Sequence, residues 1–589
     1  MSATQIAKLT LFALLPLVRS VTVSTKYGEI EGFIASYPNA SGPLKSVSKF
    51  LGIPFAAPPI GELRFKAPQP LKAWKPNVLT AKKHGNICIQ NKNIDFYFKQ
   101  FTSNFSYSED CLFLDVYSPN VSLSLPVMVY IHGGGYQSGA AITHTSDILA
   151  LQGVVAVVIQ YRLGPFGFLT TGDSVSPGNF GMLDQVEALK WVNENIEHFG
   201  GNPNQVTIFG ESAGGTSVSL HLLSPLSRNL FHRIIAESGV DLSPFAFQSS
   251  SFGLRFTKEL AEKLSCPTKE HGTMVDCIQA KDAIDVQAAN ELIRYKYTKE
   301  ANWAPIVDMN FLHDTPQHLR QKGDFKKAPL MICFTSNEAS LFLSLFLNSL
   351  ELMKNPSDGV SPATFKSFMK KFPLAQKRGN KTAELIAGAL EFVYTPWPDN
   401  SDKYALRSKL VDLIGDYTFY APSHEVADFH SQFAPVYMYE FTHKTSFNPW
   451  GPNEPWMGVT HGDNIPFDFG IPFLPNFFSM ANEADRNVSS LIMAMYVNFA
   501  RSSDPKVSGV PWEEYNATHR AYLRVNANPK MAASFYPYRM AFWNDYHPKL
   551  LQVKFDVGKQ VVSGANTFDA IPMFIQIILT VILVIVSVV

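Results

Sequence analysis

One serine in this chain lies in a setting that suits nucleophilic catalysis. Residues 210–214 read Gly-Glu-Ser-Ala-Gly, which matches the pattern G-x-S-x-G with Ser212 at its centre. A serine on a tight strand-to-helix turn presents its hydroxyl above a sheet, and the flanking glycines let backbone segments approach closely. The context fits, because residues 206–209 predict a strand and residues 217–223 predict a helix. The pentapeptide alone is equally compatible with an ordinary turn.

A glycine run upstream of the serine supplies a second element of the same chemistry. The apolar run 125–132, which predicts a strand, ends at His132, and three glycines follow it. Consecutive glycines allow backbone N–H groups to converge on a substrate oxygen, together with the N–H that follows the nucleophile. We therefore expect Gly134, Gly135 and Ala213 to form an oxyanion hole. The two motifs in this order favour acyl transfer over a plain glycine-rich turn.

The elements that must position these residues alternate along the chain. Apolar runs predict strands, and apolar residues at helical spacing predict a helix over 182–198. Near-continuous apolar strands separated by helices indicate an α/β fold with a mostly parallel central sheet covered by helices on both faces. The stretches 243–325 and 345–430 predict large helical insertions that roof the catalytic face. The predicted strands are 21–31, 125–132, 153–161, 206–209, 233–236, 330–334 and 436–441.

Composition narrows the classes of function. The chain has 589 residues, 46% of them hydrophobic, which is ample for a large core. The chain has 50 basic and 50 acidic residues, and the basic ones are not clustered in the sequence. This distribution argues against nucleic acid as a partner. No Cys/His cluster has metal-ligand spacing, so we expect neither a metal nor an organic cofactor. No linker or repeat marks a boundary, which favours one catalytic domain over residues 21–550.

The chain resembles the type-B carboxylesterase/cholinesterase family of the α/β-hydrolase superfamily. The likeness spans roughly residues 21–550 and is closest in pattern to the carboxylesterases. It implies the α/β-hydrolase fold and a serine hydrolase of carboxylic esters. The segments that carry it are SEDCLFLDVYSP (108–119), YIHGGGYQSG (130–139), YRLGPFGFL (161–169), residues 178–215, LFHRIIAESG (230–239) and MGVTHG (457–462).

The resemblance also implies a catalytic triad in the chain order Ser, acid, His. It assigns the nucleophile to Ser212, the base to His461 and the acid to Glu338. The acid segment departs from the family pattern, because Ala339 follows Glu338 where the family usually has glycine. Asp308 is the alternative acid.

Two further residues bear on this assignment. Met309 stands where the family usually has a glycine after a Val-Asp pair, so the acid loop is expected to be set differently. The family places a glutamate beside the nucleophile, near the reacting centre, and Glu211 takes that supporting position.

The resemblance covers enzymes and non-enzymes, so the substrate class needs its own argument. We favour uncharged carboxylic esters. A cholinesterase of this family carries a tryptophan between the two cysteines of the first loop, where it binds a quaternary ammonium. Residues 89–110 contain no tryptophan, although Phe101 is a poor substitute. A non-catalytic adhesion protein of this fold often lacks the serine and carries a cytoplasmic tail, and neither holds here.

Both ends carry targeting signals. Residues 1–20 predict a signal peptide with an apolar run at 9–18, and residues 551–570 predict a stalk. The uncharged run 571–589 would be roughly 28 Å long as a helix, close to the thickness of a bilayer core. We favour a GPI-attachment signal, with 563–565 as the small-residue site, over a transmembrane helix. The prediction is a cell-surface protein attached to the membrane by its C-terminal tail.

Cysteines and glycan acceptors fit the secretory route. Of the five cysteines, Cys88 with Cys111 and Cys266 with Cys277 would each close a loop, leaving Cys333 as a buried thiol. The sequence allows other pairings. Six N-x-S/T sequons are predicted to accept glycans at Asn39, Asn104, Asn120, Asn380, Asn487 and Asn516.

Overall fold

The structure is a computed structural model. It describes residues 19–553 except 39, 41–43, 93–94, 295–302, 354, 376–379 and 450–453. The predicted signal peptide before residue 19, most of the stalk and the apolar tail therefore lie outside the described residues. No helix in the described ranges is long and apolar enough to cross a membrane.

A large sheet dominates the described chain. The strands, numbered in chain order, are β1 Ser20–Thr25, β2 Gly28–Ser36, β3 Ser46–Pro54, β4 Val78–Thr80, β5 Ile87–Cys88, β6 Tyr107–Ser108, β7 Phe113–Ser118, β8 Leu125–Ile131, β9 Val155–Ile159, β10 Gly201–Glu211, β11 Arg233–Glu237, β12 Leu330–Thr335, β13 Val436–Phe441, β14 Ala521–Val525 and β15 Lys530–Ala533. The strand order of the sheet is β1-β2-β3-β7-β9-β8-β10-β11-β12-β13-β14-β15, with β4 beside β2, while β5 and β6 form a separate pair.

The centre of this sheet is parallel and its two ends are antiparallel. Every pair from β9 through β8, β10, β11, β12 and β13 to β14 is parallel. The pairs β1–β2, β2–β3, β3–β7, β7–β9 and β14–β15 are antiparallel. The predicted mostly parallel α/β sheet is confirmed.

Helices cover both faces of the sheet, as predicted. In β9, Val155 and Val157 join one apolar cluster while Ala156 and Val158 join the cluster on the opposite face. The helices are α1 Asp95–Lys99, α2 Asp147–Ala150, α3 Gly164–Phe168, α4 Phe180–Asn195, α5 Ala213–Leu223, α6 Ser250–Lys263, α7 His271–Gln279, α8 Ala283–Arg294, α9 Pro316–Gln321, α10 Leu343–Ser349, α11 Pro362–Ala375, α12 Asn380–Tyr394, α13 Lys403–Gly415, α14 Ala421–His430, α15 Ile465–Asp468, α16 Glu483–Ser502, α17 Pro537–Ala541 and α18 His547–Gln552.

The expected single strand at 21–31 is wrong. The chain turns after Thr25, and Gly28 begins the second strand of an antiparallel hairpin at φ 148°. A Cβ on Gly28 would lie 2.3 Å from Nε1 of Trp74, so the glycine lets the indole pack against the turn.

The carboxyl ends of four parallel strands bring the functional loops to one edge of the sheet. The glycine run follows β8, the nucleophile turn follows β10, the acid loop follows β12, and the chain after β13 leads to the loop of His461. Ligands bind in open α/β sheets at this carboxyl edge. The fold therefore gathers residues that are far apart in sequence.

Candidate active site

Ser212 lies in a strained turn between β10 and α5. Its φ is 58° and its ψ is −121°, a conformation that non-glycine residues rarely adopt. Its N–H donates to the carbonyl of Glu237 at 2.9 Å, and its hydroxyl does not cap α5. Gly214 is required here, because a Cβ on it would lie 1.9 Å from the carbonyl oxygen of Ile131. The turn therefore holds a half-buried hydroxyl that the helix does not use.

Glu338 lies in the loop after β12 and is fully buried. Its Oε1 accepts the N–H of Thr335 at 2.7 Å and the hydroxyl of Ser238 at 2.6 Å. Its backbone N–H donates to the Tyr420 hydroxyl at 3.1 Å, and that hydroxyl donates to the Thr335 carbonyl at 2.9 Å. These contacts fix the carboxylate and leave Oε2 for another partner.

His461 is that partner. Its Nδ1 lies 2.6 Å from Oε2 of Glu338, and its Nε2 lies 3.0 Å from Oε1 of Glu211. The rings of Phe342 and Phe419 pack against the imidazole, each with its centroid 4.9 Å away. The imidazole therefore lies between two carboxylates and against an apolar wall.

This arrangement sets the charges of the site. Burial lowers the pKa of His461, but the carboxylates of Glu211 and Glu338 outweigh it and raise the pKa from 6.5 to about 9. Burial raises the pKa of Glu211 from 4.5 to about 7, against the opposing effect of the His461 charge. The site thus stabilises an imidazolium, the form that a general base takes after it accepts a proton.

Direct bonds join the acid loop to the histidine loop. The N–H of Asn337 donates to the Val459 carbonyl at 2.9 Å. The Thr460 hydroxyl oxygen accepts the Ser340 hydroxyl at 2.7 Å and the N–H of Leu341 at 3.0 Å. These contacts keep the glutamate and the imidazole in register.

The glycine run lies against the nucleophile turn. A Cβ on Gly133 would lie 3.0 Å from Cβ of Ser212 and 2.8 Å from Oε2 of Glu211, so only glycine fits. Gly134 and Gly135 adopt φ values of 103° and 61°, and a Cβ on Gly135 would meet nothing within 4 Å. Space therefore lies open over this part of the loop.

Two side chains anchor the loop that contains these glycines. The Tyr136 hydroxyl lies 2.5 Å from Oγ1 of Thr216 on α5. The amide of Gln90 pairs with the backbone of Gly139 through two bonds of 2.9 Å. His132 is buried beneath the loop, where its ring stacks on Tyr161 and burial lowers its pKa to about 4.

The structure accounts for the two residues near the acid that differ from the family pattern, Ala339 and Met309. Ala339 lies in the short 3₁₀ helix Glu338–Ser340, so the alanine carries no left-handed strain. Met309 instead takes a positive φ of 61°, at an exposed turn. The alternative acid Asp308 accepts the N–H groups of Phe311 and Leu312, each at 2.9 Å. Asp308 therefore stabilises that turn, whereas Glu338 contacts the imidazole.

Sequence reasoning missed the residues that support the triad members. Ser238 and Tyr420 hold the Glu338 loop, and Thr460 joins it to the histidine loop. Ser238 follows β11 directly, and this position at the carboxyl edge was the one available signal. Tyr420 lies in the predicted helical insertion, 82 residues from Glu338, and no local pattern connects the two.

The cysteines pair as expected. Disulfides join Cys88 to Cys111 and Cys266 to Cys277, and Cys333 is a buried thiol.

Within the described ranges, no three His, Cys, Asp or Glu side chains are grouped so as to hold a metal ion.

Comparisons with known proteins agree with this geometry. A family model described as "Carboxylesterase family" matches residues 19–543. Human cocaine esterase is 36% identical over 90% of this chain and 92% of its own length. The acetylcholinesterase of Bungarus fasciatus is 34% identical over 90% of this chain and 87% of its own length. Pyrethroid hydrolase Ces2e of Rattus norvegicus is 35% identical over 90% of each chain. The chain belongs to the carboxylesterase family and is a serine hydrolase of carboxylic esters.

Proposed function

We propose that this protein hydrolyses uncharged carboxylic esters through an acyl-enzyme on Ser212. The observation that carries the proposal is the array at the nucleophile turn, in which His461 lies 2.6 Å from Glu338 and 3.0 Å from Glu211. An imidazole held in this way accepts the serine proton and returns it to a leaving group. Glu338 fixes the ring with its Nδ1 proton inward and stabilises the imidazolium.

The reaction proceeds in two acyl-transfer steps. The Ser212 oxygen attacks the ester carbonyl while His461 takes the hydroxyl proton. The N–H groups of Gly134, Gly135 and Ala213 stabilise the oxyanion, and His461 protonates the departing alcohol. Water, deprotonated by the same imidazole, then attacks the acyl-enzyme. The imidazolium returns that proton to the Ser212 oxygen as its bond to the acyl carbon breaks and the acid leaves. In this proposal, side chains and backbone groups of the chain supply the nucleophile, the base, the acid and the oxyanion donors, and solvent supplies the water.

Glu211 has a supporting role in this cycle. Its Oε1 is buried, lies 3.0 Å from Nε2 of His461 and has no hydrogen-bond donor among the described residues. A buried acceptor in this position suits a water molecule at the reacting centre. Glu211 thus favours the charged imidazole and orients water for the second step.

The surroundings of the imidazole support an apolar, uncharged substrate. Phe342 and Phe419 flank His461, and Phe245 packs on Phe419 with ring centroids 5.7 Å apart. The first disulfide loop has no tryptophan, and its rings at Phe98 and Phe105 pack on each other at 5.6 Å. Those two rings are therefore engaged in the loop's own core. The relative named a pyrethroid hydrolase is consistent with this substrate class.

A panel of p-nitrophenyl esters of increasing acyl length, with acetylthiocholine and butyrylthiocholine alongside, tests the substrate class. We expect kcat/KM for the best uncharged ester to exceed that for either thiocholine ester by at least about tenfold. Ser212→Ala is the control for background hydrolysis. A preference for a thiocholine ester would assign the chain to the cholinesterase side of the family, in line with its acetylcholinesterase relative.

We also propose that residues 21–550 form one catalytic domain that is secreted and held at the cell surface by a GPI lipid. The two disulfides support an oxidising compartment. Asn39 lies outside the described residues, and the side chain of Asn380 is not described. The other four predicted glycan acceptors are exposed, namely Asn104, Asn120, Asn487 and Asn516. A phosphatidylinositol-specific lipase should release esterase activity from intact cells. Activity that stays with the membrane would favour a spanning tail instead.

A further inference from the structure

Two additional carboxyl groups are buried beneath the nucleophile turn. Glu237 ends β11 in register with Glu211, and its carbonyl accepts the N–H of Ser212 at 2.9 Å. Asp468 ends α15, seven residues after His461. Glu237 and Asp468 are 0% and 1% exposed, and one amide nitrogen, Nδ2 of Asn464, contacts both carboxyl groups. The mechanism above uses neither carboxyl.

The hydrogen bonds around this pair are incomplete. The amide Nδ2 of Asn464 donates to Oε2 of Glu237 at 2.5 Å and to Oδ2 of Asp468 at 3.0 Å. Oε1 of Glu237 and Oδ1 of Asp468 are buried and have no donor in hydrogen-bonding geometry among the described residues. Two ionised carboxylates in contact in a dry interior repel each other strongly, and unpaired buried acceptors add a further cost. One proton held between them relieves both costs.

The groups that face the pair from the neighbouring elements do not neutralise it. Burial raises the pKa of Glu237 to about 7 and that of Asp468 well above its usual range. The ionisable side chains that interact with the pair are one acid, three phenols and one thiol. They are Glu211 on β10, Tyr130 on β8, Cys333 on β12, Tyr439 on β13 and Tyr496 on α16. His461 contacts the acid, Glu211, at 3.0 Å.

We propose that Glu237 and Asp468 hold one shared proton, and that their single negative charge, added to those of the nearby carboxylates, stabilises the protonated form of His461. They are a positioning pair and do not contact the ester. Their placement suits this role, because Ser238, the next residue after Glu237, donates to Glu338, and Asn464 belongs to the loop of His461. The inference rests on the proposed roles of His461 and Glu211.

Isosteric variants test the shared proton through the pH profile of kcat/KM. If one proton is shared, Asp468→Asn and Glu237→Gln each leave one negative charge in place, so the acid limb of each profile should match that of the wild type. The double variant leaves no charge, and its acid limb should move to lower pH by about half a unit or more. Glu197→Gln, at an exposed site before β10, is the matched control.

Two outcomes would overturn the proposal. A single variant that shifts the limb about half as far as the double variant would mean that both carboxyls are ionised in the wild type. A double variant with the wild-type limb would mean that the pair carries no charge that His461 senses. Loss of the proposed catalytic function is separate, because it would show as esterase activity that survives Ser212→Ala.

Infrared difference spectroscopy gives a second readout that does not depend on activity. At neutral pH the wild type should show the carbonyl stretch of a protonated carboxyl that disappears in both Asp468→Asn and Glu237→Gln. The band should persist in Glu211→Gln and in the conservative variant Asp468→Glu. Wild-type-minus-variant spectra without this band would contradict the shared proton.

Discussion

Replacing Glu211 by glutamine should move the acid limb of the kcat/KM profile to lower pH. In the proposed mechanism the free imidazole of His461 is the active form, and its carboxylate neighbours raise its pKa from 6.5 to about 9. Of these, Glu211 exerts the largest coulombic effect. The amide of glutamine keeps the shape and removes the charge, so the imidazolium becomes less stable and loses its proton at lower pH.

The size of this effect follows from the geometry. The side chains of both partners are at most 7% exposed, and Nε2 lies 3.0 Å from the Glu211 oxygen, so solvent screens the interaction weakly. The full elevation, from 6.5 to about 9, corresponds to roughly 3 kcal/mol. We assign Glu211 at least about one pH unit of it, or about 1 kcal/mol. Glu338 and Asp463, which also favour the charged ring, retain the remainder.

The assay is kcat/KM for a p-nitrophenyl ester from pH 5 to 10, because this quantity reports ionisations of the free enzyme. In the wild type the two coupled groups lose protons in steps that belong to the pair, whereas the variant should show one step. Glu197→Gln, in the short 3₁₀ helix Ile196–Phe199 just before β10, should leave the profile unchanged. An acid limb in Glu211→Gln that stays in place or moves to higher pH would refute this account of the site's charge.

Three further predictions follow from the contacts. Glu338→Gln should lower kcat for a p-nitrophenyl ester by roughly 10³- to 10⁴-fold, because the amide does not hold the imidazole as its carboxylate does, whereas Asp308→Asn should stay within about threefold of the wild type. Equal losses of kcat in the two variants would contradict the assignment of the acid to Glu338. Ser238→Ala removes a 2.6 Å bond to Glu338 and should cost about 1–3 kcal/mol of transition-state stabilisation, read as lower kcat with little change in KM. A change confined to KM would contradict a role in holding the acid. Replacing Cys266 and Cys277 together by serine opens a loop whose ends are 11 residues apart, so the free energy of unfolding should fall by about 3 kcal/mol and the Tm with it, while activity at 25 °C persists. An unchanged melting curve would contradict that stabilisation.

The parts of the site that short motifs specify were predictable from the sequence. The strand, glycine pair and helix around Ser212 form one continuous segment, and so do β8 and the glycine run. Local chain geometry decides both, because a side chain at Gly214 would collide with the neighbouring strand. The order of the motifs, together with the family likeness, extended the prediction to Glu338 and His461.

The supports of the site were not predictable, because their partners are distant in sequence and ordinary in type. Tyr420 reaches the acid loop from a helical insertion, and Asn464 and Asp468 reach Glu237 from beyond the histidine loop. A buried tyrosine or asparagine has the same local pattern whether it packs or supports a catalytic loop. Only the tertiary structure places these groups within hydrogen-bond distance.

The nucleophile is the central claim, and covalent labelling tests it most directly. A fluorophosphonate should inactivate the enzyme with one equivalent bound, and peptide mass spectrometry should find the adduct on Ser212. Ser212→Ala should take up no label and lose ester hydrolysis, although its fold, judged by circular dichroism and melting temperature, should match the wild type. A label on any other residue, or full esterase activity in Ser212→Ala, would contradict the account.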